Sequence, residues 1–187
     1  VNTIVAGELA KAAFMHGMES YGVDILNRTI DLVRKHNGDL PVAYKPNGDV
    51  DKGIPDNWGQ AAVMSALIEG LAGVVDLAQV FKAVELSPRW MVAGKKDVNI
   101  TVAYPASGNQ VNYHYIWNES NNSIKMTVSG NPDSYRVRLL LPSGKMPSII
   151  TVDNTPVEIQ SEEIESSVYV IVDGIPSGEH VIIAEYK

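Results

Sequence analysis

The apolar positions of the first 73 residues recur every three or four residues, which is the spacing of amphipathic helices. The first series consists of Ile4, Val5, Leu9, Ala12, Ala13 and Phe14, and the second of Val23, Ile25, Leu26, Ile30, Leu32 and Val33. Asn2 or Thr3 is a suitable N-cap for the first helix, and Asn37-Gly38 provides a stop signal for the second. Because Gly17 and Gly22 separate the two series, the pattern predicts an antiparallel helical hairpin.

A third helical stretch follows a polar loop, residues 39–55, that is rich in Pro, Gly and Asp. Either Asp56 or Asn57 is a suitable N-cap for this helix. Apolar residues then occur on nearly every side of it, and such a pattern predicts a helix that is buried all round.

After Gly94 the apolar positions alternate with polar ones, as in half-buried strands. The alternating runs are 98–104, 111–117, 124–128, 135–141, 149–152, 157–159, 168–172 and 181–183. Turns rich in Gly, Pro and Asn separate these runs at intervals of about 8–12 residues, which is typical of a β-sandwich or barrel. With no helix between the strands, we expect an antiparallel sandwich.

The stretch 74–90 fits both periodicities, and we favour extended structure because Ser87 precedes Pro88. The predicted fold class is therefore α+β, with helical hairpins followed by an antiparallel β-sandwich. The predicted domains are a helical segment at 1–73, a connecting extended segment at 74–94 and the sandwich at 95–187.

Charge and composition narrow the class of protein. A net charge of −7 without a basic run disfavours nucleic acid and anionic membranes as partners. The absence of cysteine excludes disulfides, thiolate zinc sites and a cysteine nucleophile, and it suits a periplasmic or secreted protein. Because the chain begins at Val1 directly in helical sequence, we expect it to be a fragment or a processed product.

Three motifs carry a resemblance to a known family. They are Asn57-Trp58-Gly59-Gln60-Ala61-Ala62, Glu69-Gly70-Leu71-Ala72-Gly73 and Leu86-Ser87-Pro88-Arg89-Trp90. In this order they resemble the C-terminal portion of the six-hairpin glycoside hydrolases. The resemblance covers the first 90 residues by motif and the rest by architecture. It implies that the helices end an (α/α)6 barrel with a sugar site, to which a β-sandwich is appended.

One position departs from that family. Glucoamylase-like members place a catalytic-base Glu after Asn-Gly and three further residues. In the corresponding run, from Asn37-Gly38 to Tyr44, that position is held by Val42. Because valine cannot activate water, the usual base is missing at its usual place.

The candidate substrate-binding residues lie mainly at the start of the third helix. Aromatic rings stack on sugars, and amides or carboxylates bind vicinal hydroxyls, so the resemblance implies such roles for Trp58, Asn57, Gln60 and Asp56. The alternative is that Asp56 or Asn57 caps the helix and Trp58 belongs to the core. Tyr44 and His16 are further candidates, if both point into the barrel.

The candidate catalytic carboxylates are Asp56 and Glu69. Glu69 lies near the end of a helix predicted to be buried, where a charge needs a partner or a raised pKa. It is therefore either a general acid or base, or a structural partner of a basic residue such as Arg89.

We expect no metal site and no cofactor. The loop carrying Asp49, Asp51 and Asp56 fails the EF-hand pattern, and the four histidines form no zinc motif. In the sandwich, Tyr113, Tyr115 and Trp117 share one strand face, which is either a sugar-binding platform or the core side of a sheet.

The function that the resemblance implies is that of a C-terminal fragment of a carbohydrate-active enzyme, a glycoside hydrolase that we expect to be inactive alone. The alternative is a non-catalytic carbohydrate- or protein-binding β-sandwich module braced by helices. A truncated barrel would expose apolar helix faces, so the expected partners are a carbohydrate and either the missing N-terminal barrel helices or a second copy.

Overall fold

The computed structural model describes residues 1–53 and 55–187, which form two compact units, Val1–Leu71 and Ala72–Lys187. The first unit is mainly helical and the second consists of two sheets, so the fold is α+β with a β-sandwich. This confirms the predicted fold class.

The described residues of the first unit include three α-helices, α1 (Thr3–Met15), α2 (Glu19–Lys35) and α3 (Asn57–Ser65). The side chain of Asn2 accepts a hydrogen bond from the Val5 amide and caps α1 as predicted. Gly22, predicted to break the chain, lies inside α2 instead. A glycine at this position lets α2 pack closely on α1, because a Cβ at Gly22 would lie only 3.0 Å from the Phe14 ring.

Helices α1 and α3 run side by side in the same direction. Thr3 lies beside Asp56, Gly7 packs against Ala62, and Lys11 donates a hydrogen bond to Ser65, so the contacts advance together along both helices. The prediction that α3 is buried on every side is wrong. Met64 is 51% exposed, because the helix packs on α1 through one face of small residues and leaves the other open.

A π-helical segment, Ala66–Leu71, continues α3 and carries Glu69. The polar loop before α3 contains a two-stranded antiparallel sheet of β1 (Ala43–Tyr44) and β2 (Val50–Lys52). Lys35 of α2 contacts the turn between these two strands, with Nζ at 3.4 Å from Asp49 Oδ1.

Eleven strands build the second unit. They are β3 (Val74–Ala78), β4 (Ala83–Leu86), β5 (Asp97–Tyr104), β6 (Asn109–Asn118), β7 (Ser123–Gly130), β8 (Ser134–Leu140), β9 (Pro147–Val152), β10 (Thr155–Pro156), β11 (Gln160–Ile164), β12 (Ser167–Pro176) and β13 (His180–Tyr186). The order is β10-β9-β13-β7-β6-β5 in the six-stranded sheet and β11-β12-β8-β4-β3 in the five-stranded one.

The sandwich is antiparallel except at one pair, since β4 and β8 run parallel. The stretch 74–90 is extended as predicted over β3 and β4, with a 3₁₀ turn between them. Residues 74–94, expected as a connection, contribute both strands to the five-stranded sheet and lie in the second unit.

Alternating side chains of the two sheets form the core of the second unit. Fully buried members are Val84, Leu86, Val111, Ile124, Met126, Val128, Val137, Leu139, Val170 and Ile182. The residues of each strand that alternate with these positions face away from the core, as expected from the two-residue period of a strand.

Candidate functional site

The N-terminal ends of α1 and α3 meet at Thr3, which is fully buried. Its hydroxyl lies 2.8 Å from the Pro41 carbonyl oxygen and 3.2 Å from Asp56 Oδ2. The Asp56 amide in turn donates to the Leu40 carbonyl oxygen at 3.0 Å. Two helix ends and the loop residues 40–42 are therefore fixed to one another, which gives a rigid base for the exposed side chains that follow Asp56.

Asp56 is the N-cap of α3. Its Oδ1 accepts from the Trp58 amide at 3.3 Å and its Oδ2 from the Gly59 amide at 3.0 Å. The side chain is buried, with 7% exposure, so both oxygens are committed to the fold. This arrangement satisfies helix N–H groups that would otherwise lack partners, and it does not present a carboxylate to solvent.

Trp58, Asn57 and Gln60 project from the first turn of α3 into solvent. Trp58 is 76% exposed, the largest exposure among the exposed large apolar side chains of the described residues. An exposed indole costs hydrophobic stabilisation, because burying a side chain of this size contributes about 2–3 kcal/mol. This surface therefore presents an aromatic plane flanked by two amide side chains.

Tyr44 lies at the same end of the first unit but is buried, with 2% exposure. Its hydroxyl donates to the Asp39 carbonyl oxygen at 3.1 Å, and its ring centroid lies 5.5 Å from that of His36. Burial first, and the Asp39 charge second, raise the pKa of the Tyr44 hydroxyl. With its polar atom already bonded, Tyr44 supports the loop and is not presented beside Trp58.

Glu69 and His16 belong to the opposite end of α1 and α3. Glu69 pairs with Lys11 at 2.6 Å and accepts from the Ser65 hydroxyl at 3.2 Å. Thirteen residues separate Glu69 from Asp56, which at about 1.5 Å per residue is roughly 20 Å. The two carboxylates of a glycosidase stand about 5–9.5 Å apart, so Asp56 and Glu69 do not form such a pair.

His16 is the C-cap residue of α1, and its exposed position follows from the end of that helix. The structure therefore brings together Asp56, Asn57, Trp58 and Gln60 in the first turn of α3. Tyr44 is buried against Asp39 and His36, and His16 and Glu69 lie at the other end of the helices.

Sequence reasoning missed Thr3, Lys11 and Ser65 as parts of these arrangements. Thr3 shares one face of α1 with Ala6, Gly7, Ala10 and Ala13, all buried. This row of small residues could have indicated the helix contact from the sequence, because a face without large side chains allows another helix to approach closely. Polar residues on the same face can then form hydrogen bonds with that helix.

The aromatic row of β6 belongs to the core and is not a platform. Tyr113 and Tyr115 are 3% and 1% exposed. The Tyr113 hydroxyl donates to the Ala72 carbonyl oxygen at 2.7 Å and accepts from Trp90 Nε1. Burial raises the pKa of both tyrosines. Trp117, which is half-buried, donates to the Tyr186 hydroxyl at 2.9 Å.

Within residues 1–53 and 55–187, no three His, Asp or Glu side chains come together as a metal-binding group. Over the same ranges, each helix is too short or too polar to cross a bilayer.

No protein-family model matches the sequence, and no curated protein matches it either. Solved structures do match. In one, an alpha-L-rhamnosidase from Dictyoglumus thermophilum, 97% of this chain superposes on 21% of that chain with a TM-score of 0.69 and 13% identity.

Weaker similarities connect the chain to two further structures. A cycloalternan-forming enzyme from Listeria monocytogenes, solved in complex with a pentasaccharide substrate, gives a TM-score of 0.40 at 11% identity, over 55% of this chain and 10% of that chain. A GH127 beta-L-arabinofuranosidase from Geobacillus Stearothermophilus T6 gives 0.37 at 15% identity, over 69% and 18%. The chain spans about a fifth of the length of the rhamnosidase, and it shares with that part of the enzyme a glycosidase-related fold.

Proposed function

We propose that this chain is the C-terminal part of a glycoside hydrolase, in which residues 1–73 belong to an incomplete (α/α)6 barrel and the first turn of α3 contacts a sugar. The observation that carries the proposal is the exposed indole of Trp58, 76% exposed, between Asn57 and Gln60 on a rigidly held helix end. Its indole plane would stack on the apolar face of a sugar ring, and the two amides would bind hydroxyl groups.

A second support is the fold shared with part of a rhamnosidase, which makes a deoxyhexose the first sugar to test. The charge of the chain, −7, agrees with a neutral ligand better than with an anionic one.

The same geometry argues that this chain contributes binding and no complete catalytic apparatus. Asp56 caps α3, and Glu69 forms an ion pair with Lys11. Glu69 lies roughly 20 Å from Asp56 along the helix. Val42 occupies the position at which the glucoamylase-like members place their catalytic base. Hydrolysis needs two carboxylates on either side of one glycosidic bond. We infer that the acid and the base are supplied by other parts of a longer polypeptide.

The test is a titration of the chain with L-rhamnose, and with D-glucose in parallel, followed by saturation-transfer NMR. We expect a transfer signal for one of the sugars that is lost in Trp58→Ala. Tyr21→Ala is the matched control, because Tyr21 is also an exposed aromatic of the helical unit, at 49% exposure, but lies on α2.

Equal signals from the Trp58→Ala variant and the unchanged protein would refute the proposed contact. The catalytic half is tested separately with nitrophenyl glycosides. Turnover by the chain alone that disappears in Asp56→Ala would show that Asp56 is a catalyst and that our assignment of it as a cap is incomplete. Thermal unfolding of each variant checks that the fold persists.

A further inference from the structure

The edges of the two sheets differ in how far they are protected against pairing with another strand. β10 has two residues, one of them Pro156. β11 carries Glu162 and Glu163, and β3 contains Asp76 beside a register irregularity. Short length, proline, charge and irregularity are the common means by which proteins block edge-to-edge association. Three of the four described edges therefore carry such protection.

β5 is the fourth edge and carries little of it. All eight of its residues pair with β6, from Asp97 opposite Ile116 to Tyr104 opposite Asn109, without interruption. In an antiparallel ladder, about half the residues of an edge strand direct N–H and C=O groups away from the neighbouring strand. Residues 98–104 include neither a charged residue nor a proline. The outward-directed backbone groups of residues 97–103 therefore form an extended, regular row at the edge of the six-stranded sheet.

The side chains of β5 suit further pairing. Val98, Ile100 and Val102 are half-buried on one face, and Asn99 and Thr101 are exposed on the other. β-branched residues in strict alternation favour strand structure. At its C-terminal end the Tyr104 ring packs on Phe81, with centroids 4.6 Å apart, which helps to hold the strand in place.

The distribution of charge indicates which orientation is favourable. Lys95, Lys96 and Asp97 all lie at the N-terminal end of β5, whereas the turn after Tyr104, residues 105–108, is uncharged. Parallel pairing of two identical edges would set lysines beside lysines, which is destabilising. Antiparallel pairing places the charged end of each strand beside the uncharged turn of the other. A second copy of this chain thus meets the edge without opposing like charges, and the contact closes with two-fold symmetry.

We propose that β5 pairs antiparallel with β5 of a second copy, so that the two six-stranded sheets join into one continuous sheet. This association is separate from the sugar contact of Trp58 and does not depend on it, since it uses only strands of the second unit.

The experiment is sedimentation velocity of the full chain over a wide range of concentrations. We expect the unchanged protein to form a dimer as the concentration rises. The double variant Asn99→Lys/Thr101→Lys should lose that dimer, because lysines on an edge strand oppose pairing. The matched control is Gln160→Lys/Ser161→Lys, which adds the same charge to exposed positions of β11 and should dimerise like the unchanged protein.

Hydrogen exchange of the unchanged protein gives a second measurement that does not depend on any variant folding. We expect amides of alternate β5 residues to exchange more slowly at high concentration than at low concentration. A protein that remains monomeric, a dimer that survives both β5 lysines, or protection that appears on α1 and α2 instead would each overturn the proposal.

Discussion

Asp153 shows how much a single side chain contributes to the turn between β9 and β10. Its backbone has a φ of 50°, and that of Asn154 has a φ of 64°, which are the left-handed conformations of a two-residue hairpin turn. Its carboxylate accepts from the Val181 amide at 2.8 Å and contacts His180 Nδ1 at 2.7 Å. These hydrogen bonds, the backbone one first, hold the pKa of the Asp153 carboxyl below its usual value.

This depressed pKa predicts a dependence of stability on pH. The stabilisation is fully present above the unfolded-state pKa of about 3.9, and it is lost as the pH falls through the lower folded-state value. We expect the urea midpoint of the unchanged protein to fall more steeply below about pH 4 than that of Asp153→Asn, which keeps the turn geometry but does not ionise there. The control is Asp51→Asn, on the exposed strand β2. Parallel profiles for Asp153→Asn and the unchanged protein would contradict this.

The roles of the candidate site residues could be predicted only in part from the sequence. Asp56 precedes a helical run, and this position alone indicates a cap. The burial of Tyr44 depends on His36 and Asp39, through contacts that no local pattern encodes. The separation of Glu69 from Asp56 follows from helix length once both are placed on one helix. The role of Trp58 in sugar binding stays a prediction.

At the scale of elements, the packing of α1 on α3 depends on Gly7. A Cβ at this position would lie 2.6 Å from the Val63 backbone nitrogen and 2.7 Å from the Ala62 Cβ. Those distances are too short for non-bonded heavy atoms, so a larger residue would force the two helices apart.

We therefore expect Gly7→Ala to lower the free energy of unfolding. The substitution gains about 1 kcal/mol in helix propensity, but overpacking of a close contact costs about 1–3 kcal/mol. The net loss should be up to about 2 kcal/mol, measured by urea unfolding. Asn27→Ala, on the exposed face of α2, is the control and should be neutral or stabilising. A more stable Gly7→Ala protein would show that the helices approach less closely than described.

Which elements could be predicted depended on how local their signals are. The caps and stop signals of α1 and α2 lie within a few residues of each helix end, and the alternation of β5 to β8 is contained in each strand. The two-residue strand β1 is too short to carry a pattern. The parallel pairing of β4 with β8 joins segments distant in sequence, so no periodicity could reveal it.

At the scale of the whole molecule, an apolar groove opens along α1 and α2. It has a volume of about 330 Å³ and is lined mainly by Val1, Val5, Ala6, Leu9, Ile25 and Leu32. Val5 remains 60% exposed and Leu9 43% exposed. A predominantly apolar lining of this kind accommodates apolar ligands.

We expect the isolated chain to bind an apolar dye such as anilinonaphthalene sulfonate in this groove. Val5→Ser/Leu9→Ser should reduce the dye fluorescence at least by about half, because it removes two large apolar contributors to the lining. Leu77→Ser, at a 54% exposed position of β3, is the matched control and should leave the signal unchanged. Equal fluorescence from the groove variant and the control would show that the groove is closed in solution.

The parallel contact of β4 with β8 also has a consequence during synthesis. β3 and β4 leave the ribosome before the other strands of the second unit, yet β4 joins the rest of the five-stranded sheet only through β8, after three strands of the other sheet have been made. Until then the nascent chain carries Val84 and Leu86, both fully buried in the finished protein, paired with β3 alone and without β8 on their other side. Non-local pairing is slow and leaves apolar strands exposed, so we expect the growing polypeptide to be prone to misfolding during this interval.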